Sequence, residues 1–164
     1  MDVIAALLDS WDRQCRIVNA VAERVTEENK LAKPSPGGMP LFEQLAHIHL
    51  VRKYWLAQLD AEGAELLAKS YTGGWEGPIE DLDSIRKMLR ESGVTVRGAV
   101  EEAIAEGNEK AGFYDNPILF LQHMIWHEGW HVGLLFLGLR LAGDEPTEEW
   151  EEANVWGEWR TEVW

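Results

Sequence analysis

Three histidines stand at four-residue steps in the most apolar segment of the chain: His123, His127 and His131. Residues four apart lie on one face of an α-helix, so the three imidazoles share one stripe. The same stripe carries Phe120 and Leu134, which indicates that it faces the protein core. Buried imidazoles need polar partners, and one divalent ion can satisfy several of them. Zinc, nickel, copper and iron all bind imidazole nitrogen.

A catalytic metal site with three protein ligands needs a histidine from a second helix, because a third ligand from one helix strains the geometry. For His123 we therefore favour an ordinary hydrogen bond. An earlier helical segment offers His47 and His49, one on each side of Ile48, and helical periodicity does not choose between them. The alternative for all of these histidines is hydrogen bonding to neighbouring carbonyl or carboxylate groups.

The run from His127 to His131 also matches the H-E-x-x-H pattern of zinc metalloproteases. In that interpretation Glu128 is the general base and the only candidate catalytic residue. The pattern is short, however, and the chain shows no strand on which a peptide substrate would align. We therefore favour a Glu128 that supports a ligand, faces solvent or pairs with a base.

Four helices are expected to position these residues, since apolar residues recur at three- and four-residue steps in four segments. We find no strand pattern. The sequence therefore predicts an all-α fold, a four-helix bundle with long interhelix connections. The four predicted helices cover residues 2–25, 40–59, 83–106 and 117–142.

The fourth predicted helix has the clearest ends. Asn116 is a suitable N-cap, Pro117 suits the first helical position, and Gly143 suits the position after the end. This helix is apolar nearly all round, which predicts that other helices surround it. Trp126 and Trp130, beside the histidine stripe, are expected to fill the core.

Outside the histidines, few residues suggest chemistry. Residues 61–80 are expected to form a plain connection, with a lid containing Tyr71, Trp75 and Pro78 as the alternative. Cys15 lies on the apolar stripe of the first helix, which favours an inert thiol. Side chains near His47 that are candidates to line a pocket are Arg52, Tyr54 and Trp55.

Composition restricts the class of protein. The 164 residues suffice for one domain with a tail, and the net charge of −14 disfavours nucleic acid and anionic membranes as partners. No apolar run approaches the length of a membrane span, and the N-terminus has no basic leader. A single cysteine excludes an internal disulfide, which favours the cytoplasm.

The C-terminal residues 144–164 differ from the rest, with eight acidic residues against the single base Arg160. Disordered acidic segments are poor in aromatic residues, yet this segment contains four tryptophans. We therefore expect a bundle domain over residues 1–143 and an acidic, Trp-rich extension packed on the bundle or on a second copy in a homodimer. The four tryptophans are Trp150, Trp156, Trp159 and Trp164.

Two segments resemble motifs of the DinB-like (DinB/YfiT) metalloenzyme superfamily. One is Leu45-Ala46-His47-Ile48 with Trp55 eight residues after the histidine, and the other runs from Leu121 to His131. The resemblance covers about residues 1–143. It implies a four-helix bundle with a divalent metal, zinc or nickel, held by His47, His127 and His131.

Characterised members of that superfamily include transferases and isomerases that use bacillithiol, mycothiol or glutathione. The resemblance therefore implies a small-molecule substrate, a low-molecular-weight thiol as cosubstrate and an S-transferase type of activity. A metal-binding protein without catalysis and an H-E-x-x-H hydrolase are the alternatives. Many relatives have histidine before the last ligand and Arg-Gly-Gln after it, whereas this chain has Trp130 before His131 and Val132-Gly133-Leu134 after it.

Overall fold

The computed structural model describes residues 2–161 and confirms an all-α fold. Glu162 and Trp164, which belong to the predicted tail, lie outside the described residues. Two short helices accompany four long ones. The helices are α1 (Val3–Arg24), α2 (Leu41–Leu56), α3 (Ala61–Leu66), α4 (Leu82–Ala105), α5 (Pro117–Ala142) and α6 (Glu148–Glu151).

Local sequence explains where the long helices begin and end. The Asp2 carboxylate accepts hydrogen bonds from the backbone N–H groups of Ile4 and Ala5 at the start of α1. Asn116 caps α5 in the same way, and Gly143 ends that helix with a φ of +84°, a conformation that favours glycine. The ends of α5 therefore agree with the prediction.

The four long helices share an apolar core. α1 and α2 each pack against both α4 and α5, so the chain runs back and forth around this core. Fully buried side chains from every long helix meet there, among them Trp11, Leu45, Leu89 and Leu135. This packing holds the faces of α2 and α5 opposite each other, and these two helices carry all five histidines.

The prediction of a plain, strandless connection over residues 61–80 is wrong. This segment contains α3 and a hairpin of two three-residue antiparallel strands, β1 (Tyr71–Gly73) and β2 (Glu76–Pro78). Gly74 opens the two-residue turn with a φ of +67°, as a type II′ hairpin turn requires of its first central residue. Strands this short give too few residues for an alternating pattern to be recognised.

The expectation that other helices surround α5 is also wrong. Trp126 is 68 % exposed and Trp130 is 61 % exposed, so the helices that pack against α5, namely α1, α2 and α4, leave these two side chains uncovered. The outer side of α5 is apolar but has no element over it within residues 2–161. No helix of that part of the chain is long and apolar enough to cross a bilayer.

The C-terminal segment packs against α1 and α5. Thr147 caps α6, which continues into a π-helical turn over Glu152–Trp156. Val155 is buried in the core, and the Trp150 ring lies 6.4 Å from that of Phe136. Glu158 accepts a hydrogen bond from Arg16 on α1 at 2.8 Å.

Candidate metal centre

Histidines from two helices converge in the structure. His47 on α2 lies opposite His127 and His131 on α5, and one ring nitrogen from each lies within 4.8 Å of the other two. The His47 ring centroid is 5.4 Å from that of His127 and 4.9 Å from that of His131. Zinc–nitrogen bonds of about 2.0–2.1 Å at tetrahedral angles would place the ligand nitrogens about 3.4 Å apart, so the three rings would have to draw closer together to share one ion.

Hydrogen bonds within the protein do not satisfy every ring nitrogen of the three-histidine cluster. Nδ1 of His127 is buried and has no hydrogen-bond partner, a costly condition for a polar atom. Nδ1 of His131 is hydrogen-bonded to Oε1 of Gln44, which lies one turn before His47 on α2. Nδ1 of His131 carries the proton that it donates to Gln44. Nε2 of His131 therefore has the lone pair that can bind a metal ion. The residues present therefore fit a bound cation.

The protonation state of these rings also suits metal binding. Burial, together with the neighbouring imidazoles, lowers the pKa of His127 to about 4 and that of His131 to about 3. Burial lowers the pKa of His47 as well. All three rings are therefore neutral at pH 7, and the neutral imidazole is the form that coordinates a metal.

The other two histidines have separate roles. Both ring nitrogens of His49 lie near carbonyl oxygens, Nδ1 at 3.0 Å from Met88 and Nε2 at 2.9 Å from Ala68. His49 is therefore a buried structural residue. His123 shares the α5 stripe, but its Nδ1 is hydrogen-bonded at 2.6 Å to the hydroxyl of Tyr114. Neither belongs to the convergent cluster.

Glu128 is paired with a base rather than directed at the histidines. Arg52 Nε donates to Oε1 of Glu128 at 2.6 Å, and Nη2 donates to Oε2 at 2.8 Å. The Arg52 guanidinium also lies over the Trp11 ring, 4.9 Å from its centroid. Arg52, a candidate pocket residue by sequence, is thus a fully buried core residue.

The hairpin brings an aromatic side chain to the cluster. The Trp75 ring lies 6.0 Å from that of His47 and 5.5 Å from that of Tyr54. On the other side, Trp55 contacts Tyr114 and His123. Rings from α2, the hairpin and the segment before α5 therefore border the histidines. Of the residues considered as a lid, Trp75 is the one that reaches the His47 ring.

Sequence reasoning missed Gln44, although a signal was present. Gln44 precedes His47 by three residues, so the two side chains lie on neighbouring turns of the same helical face. Because glutamine is common in helices, Gln44 cannot be recognised as part of the site until its partner is known. The partner His131 stands 87 positions later, so the contact depends on the packing of α2 against α5.

Fold and site together define an all-α protein with a candidate three-histidine metal centre. The model of the DinB family matches residues 1–160, essentially the whole chain, and the chain therefore belongs to the DinB family. The match extends past Gly143 into the C-terminal segment, further than the resemblance by motifs. No curated protein and no solved structure matches the chain significantly.

Proposed function

We propose that this protein is a divalent-metal-dependent enzyme in which His47, His127 and His131 hold zinc or nickel. The observation that supports the proposal most directly is the convergence of three imidazole nitrogens from α2 and α5, one ring having an unpartnered buried Nδ1. Catalytic zinc sites have three protein ligands and keep the fourth coordination position open, whereas structural sites are closed by four protein ligands. A three-histidine site would therefore be of the catalytic type.

We further propose that the reaction transfers a low-molecular-weight thiol to a small electrophile. A divalent cation bound there lowers the pKa of a coordinated thiol and so provides a nucleophile at neutral pH. Gln44 orients the His131 ring through Nδ1, a contact that typically stabilises a ligand's geometry. Trp75, beside the His47 ring, and Tyr54, beside Trp75, offer exposed aromatic surface to a substrate. The reducing cytoplasm suits such chemistry.

The two alternatives receive less support from the contacts. A hydrolase of the H-E-x-x-H type needs Glu128 to reach a water molecule at the metal, but Arg52 holds both of its carboxylate oxygens. A closed, non-catalytic site needs a fourth protein ligand. His123 and Glu128, the nearest candidates by sequence, do not join the cluster among residues 2–161.

Elemental analysis tests the metal site. Protein purified without chelator is expected to carry about one metal ion per chain, and His47→Ala is expected to lose it. His123→Ala is the matched control, because it removes an imidazole that lies on the same face of α5 but does not belong to the three-histidine cluster. Retention of the ion by His47→Ala, or its loss from His123→Ala alone, would contradict the proposed ligand set.

A second experiment tests the reaction. Metal-loaded protein is incubated with glutathione, bacillithiol or mycothiol and a panel of small electrophiles, and conjugates are detected by mass spectrometry. We expect conjugation that depends on both metal and thiol and that His47→Ala abolishes. If the protein carries one metal ion per chain but conjugates no thiol to any electrophile of the panel, the transferase activity is refuted. The proposed metal site would then still stand.

A further inference from the structure

A cleft open to solvent lies between α2 and α3. It has a volume of about 260 Å³ and a mostly apolar lining. An apolar cavity of about 150 Å³ is large enough to bind benzene, so this cleft has room for a substituted aromatic ring. Residues of both helices and of the C-cap of α2 line it, and it is called here the α2–α3 cleft; among them are Leu50, Lys53, Tyr54, Ala57, Ala61 and Ala64.

The α2–α3 cleft begins about one helical turn from the histidine cluster. Leu50 and Tyr54 follow His47 by three and seven residues, so the three side chains lie on one face of α2. At the rise of an α-helix, Leu50 lies about 4.5 Å and Tyr54 about 10.5 Å further along the helix axis than His47. The Trp75 ring lies where the two regions meet, with its centroid 6.0 Å from that of His47 and 5.5 Å from that of Tyr54. A small molecule that lies along this face of α2 therefore has one end in the cleft and the other beside His47.

The charges around the α2–α3 cleft favour an uncharged occupant. The Lys53 ammonium donates to the carbonyl oxygens of Ala64 and Leu67, the latter at 2.6 Å. These contacts join α3 to α2, and the methylene stem of Lys53 contributes to the apolar lining. Glu65 also lines the cleft and carries the opposite charge, so the two formal charges cancel. In addition, a chain with a net charge of −14 repels anionic ligands.

We propose that the α2–α3 cleft is a substrate subsite that binds the uncharged, apolar body of the electrophile, such as an aromatic ring. The reactive carbon of the same molecule then lies beside His47, and Trp75 contacts the part between the two ends. This proposal rests on the thiol transfer proposed above and names the class of electrophile, an aryl compound without a charged group. A small electrophile that lacks an apolar body reaches the histidines without using the cleft.

Conjugation kinetics of the metal-loaded, full-length protein test the subsite. Chlorodinitrobenzene has an aromatic body, and its ring carbon forms a bond to the thiol sulfur while chloride leaves and the thiol proton passes to solvent. Iodoacetamide alkylates the same thiol with loss of iodide but has no apolar body. Ala57→Phe and Ala61→Phe each fill the cleft from an exposed position, and each is expected to lower kcat/KM for chlorodinitrobenzene by about 10-fold or more, mainly through KM. Both variants are expected to leave kcat/KM for iodoacetamide unchanged.

Ala5→Phe on α1 is the matched control. It makes the same change at an exposed alanine outside the cleft and is expected to alter the kinetics with neither electrophile. Circular dichroism checks that each variant remains folded, and having two cleft variants on separate elements keeps the test valid if one of them misfolds. Equal losses with both electrophiles, or unchanged kinetics in every folded cleft variant, would overturn the proposed subsite.

Binding of nitrobenzene, an uncharged aryl probe, gives a readout that does not need catalysis. In nuclear magnetic resonance spectra of the zinc-loaded protein we expect titration with nitrobenzene to shift the backbone amide signals of Ala57 and Ala61. Benzoate, its anionic counterpart, is expected to shift them less, and Ala57→Phe is expected to abolish the change at Ala61. Shifts confined to other parts of the protein, or equal binding of benzoate, would overturn the proposal. A protein that binds nitrobenzene in the cleft but conjugates neither electrophile would lose the proposed thiol transfer and keep the binding site, so the two failures are distinguishable.

Discussion

Arg52 and Glu128 form a bidentate ion pair in the centre of the molecule, with both side chains 1 % exposed. Glu128 directly follows His127 on α5, and Arg52 lies five residues after His47 on α2. Arg52 also donates through Nη1 to the carbonyl of Leu89 on α4, at 2.7 Å. The pair thereby fixes the helices that carry the histidines relative to one another.

Removing one member of this pair should destabilise the fold. Glu128→Leu leaves the Arg52 guanidinium buried without its counter-charge, and such losses cost about 3–5 kcal/mol. Denaturant unfolding of the metal-free protein measures the effect. The double variant Arg52→Met with Glu128→Leu is expected to recover much of the stability, because no uncompensated charge remains. Equal stability of wild type and Glu128→Leu would show that the pair does not hold the helices together.

Gln44 should tune metal affinity through His131. Gln44→Leu keeps the size of the side chain but removes the acceptor for Nδ1, and we expect affinity to fall by about 10- to 100-fold. Gln44→Glu provides a charged acceptor and is expected to retain tight binding. Competition with a chelating dye measures both variants. Gln122→Leu, on the exposed side of α5, is the control, and an equal loss there would exclude a specific role for Gln44.

The Cys15 thiol should be inert in the folded protein. Burial raises its pKa from 9.0 to about 12, so almost no thiolate is present at pH 8. We expect slow labelling by a thiol reagent in native protein and fast labelling in guanidinium chloride. Fast labelling of the native protein would contradict this burial, and Cys15→Ser identifies any reaction at other groups.

The same pKa predicts how stability depends on pH. The thiol ionises more readily in the unfolded chain than in the folded protein. Its contribution to the free energy of unfolding is therefore complete below pH 9 and is lost as pH rises toward 12. Unfolding midpoints of wild type and Cys15→Ser across that interval measure this contribution, and parallel curves would refute it.

Two glycines of α4 should respond in opposite directions to alanine. A Cβ on Gly93 meets Cys15 Sγ at 2.9 Å and Arg52 Nη1 at 3.3 Å, so Gly93→Ala is expected to destabilise the protein by about 1–3 kcal/mol. A Cβ on Gly98 has nothing within 4 Å, so Gly98→Ala should add about 0.5–1 kcal/mol. Thermal unfolding of both variants measures these changes in stability. A Gly93→Ala variant more stable than the wild type would contradict the close packing of α1 on α4.

Helix positions and the histidine stripe were accessible from the sequence because both depend on local spacing. A helix places residues four apart on one face wherever it lies, so the stripe from His123 to His131 was visible without a partner. The caps of α5 are likewise local, since Asn116 bonds a backbone N–H three residues away. The hairpin was missed because strands of three residues carry too little local pattern.

Tertiary packing alone decided which side chains meet. His47 and His49 stand at equal angles to Ile48, and the choice between them depends on which side of α2 faces α5. The contact between Gln44 and His131 joins residues 87 positions apart. The exposure of Trp126 and Trp130 depends on how many helices surround α5. Periodicity describes each residue relative to its own helix axis, whereas a contact or an exposed face depends on the neighbouring helices.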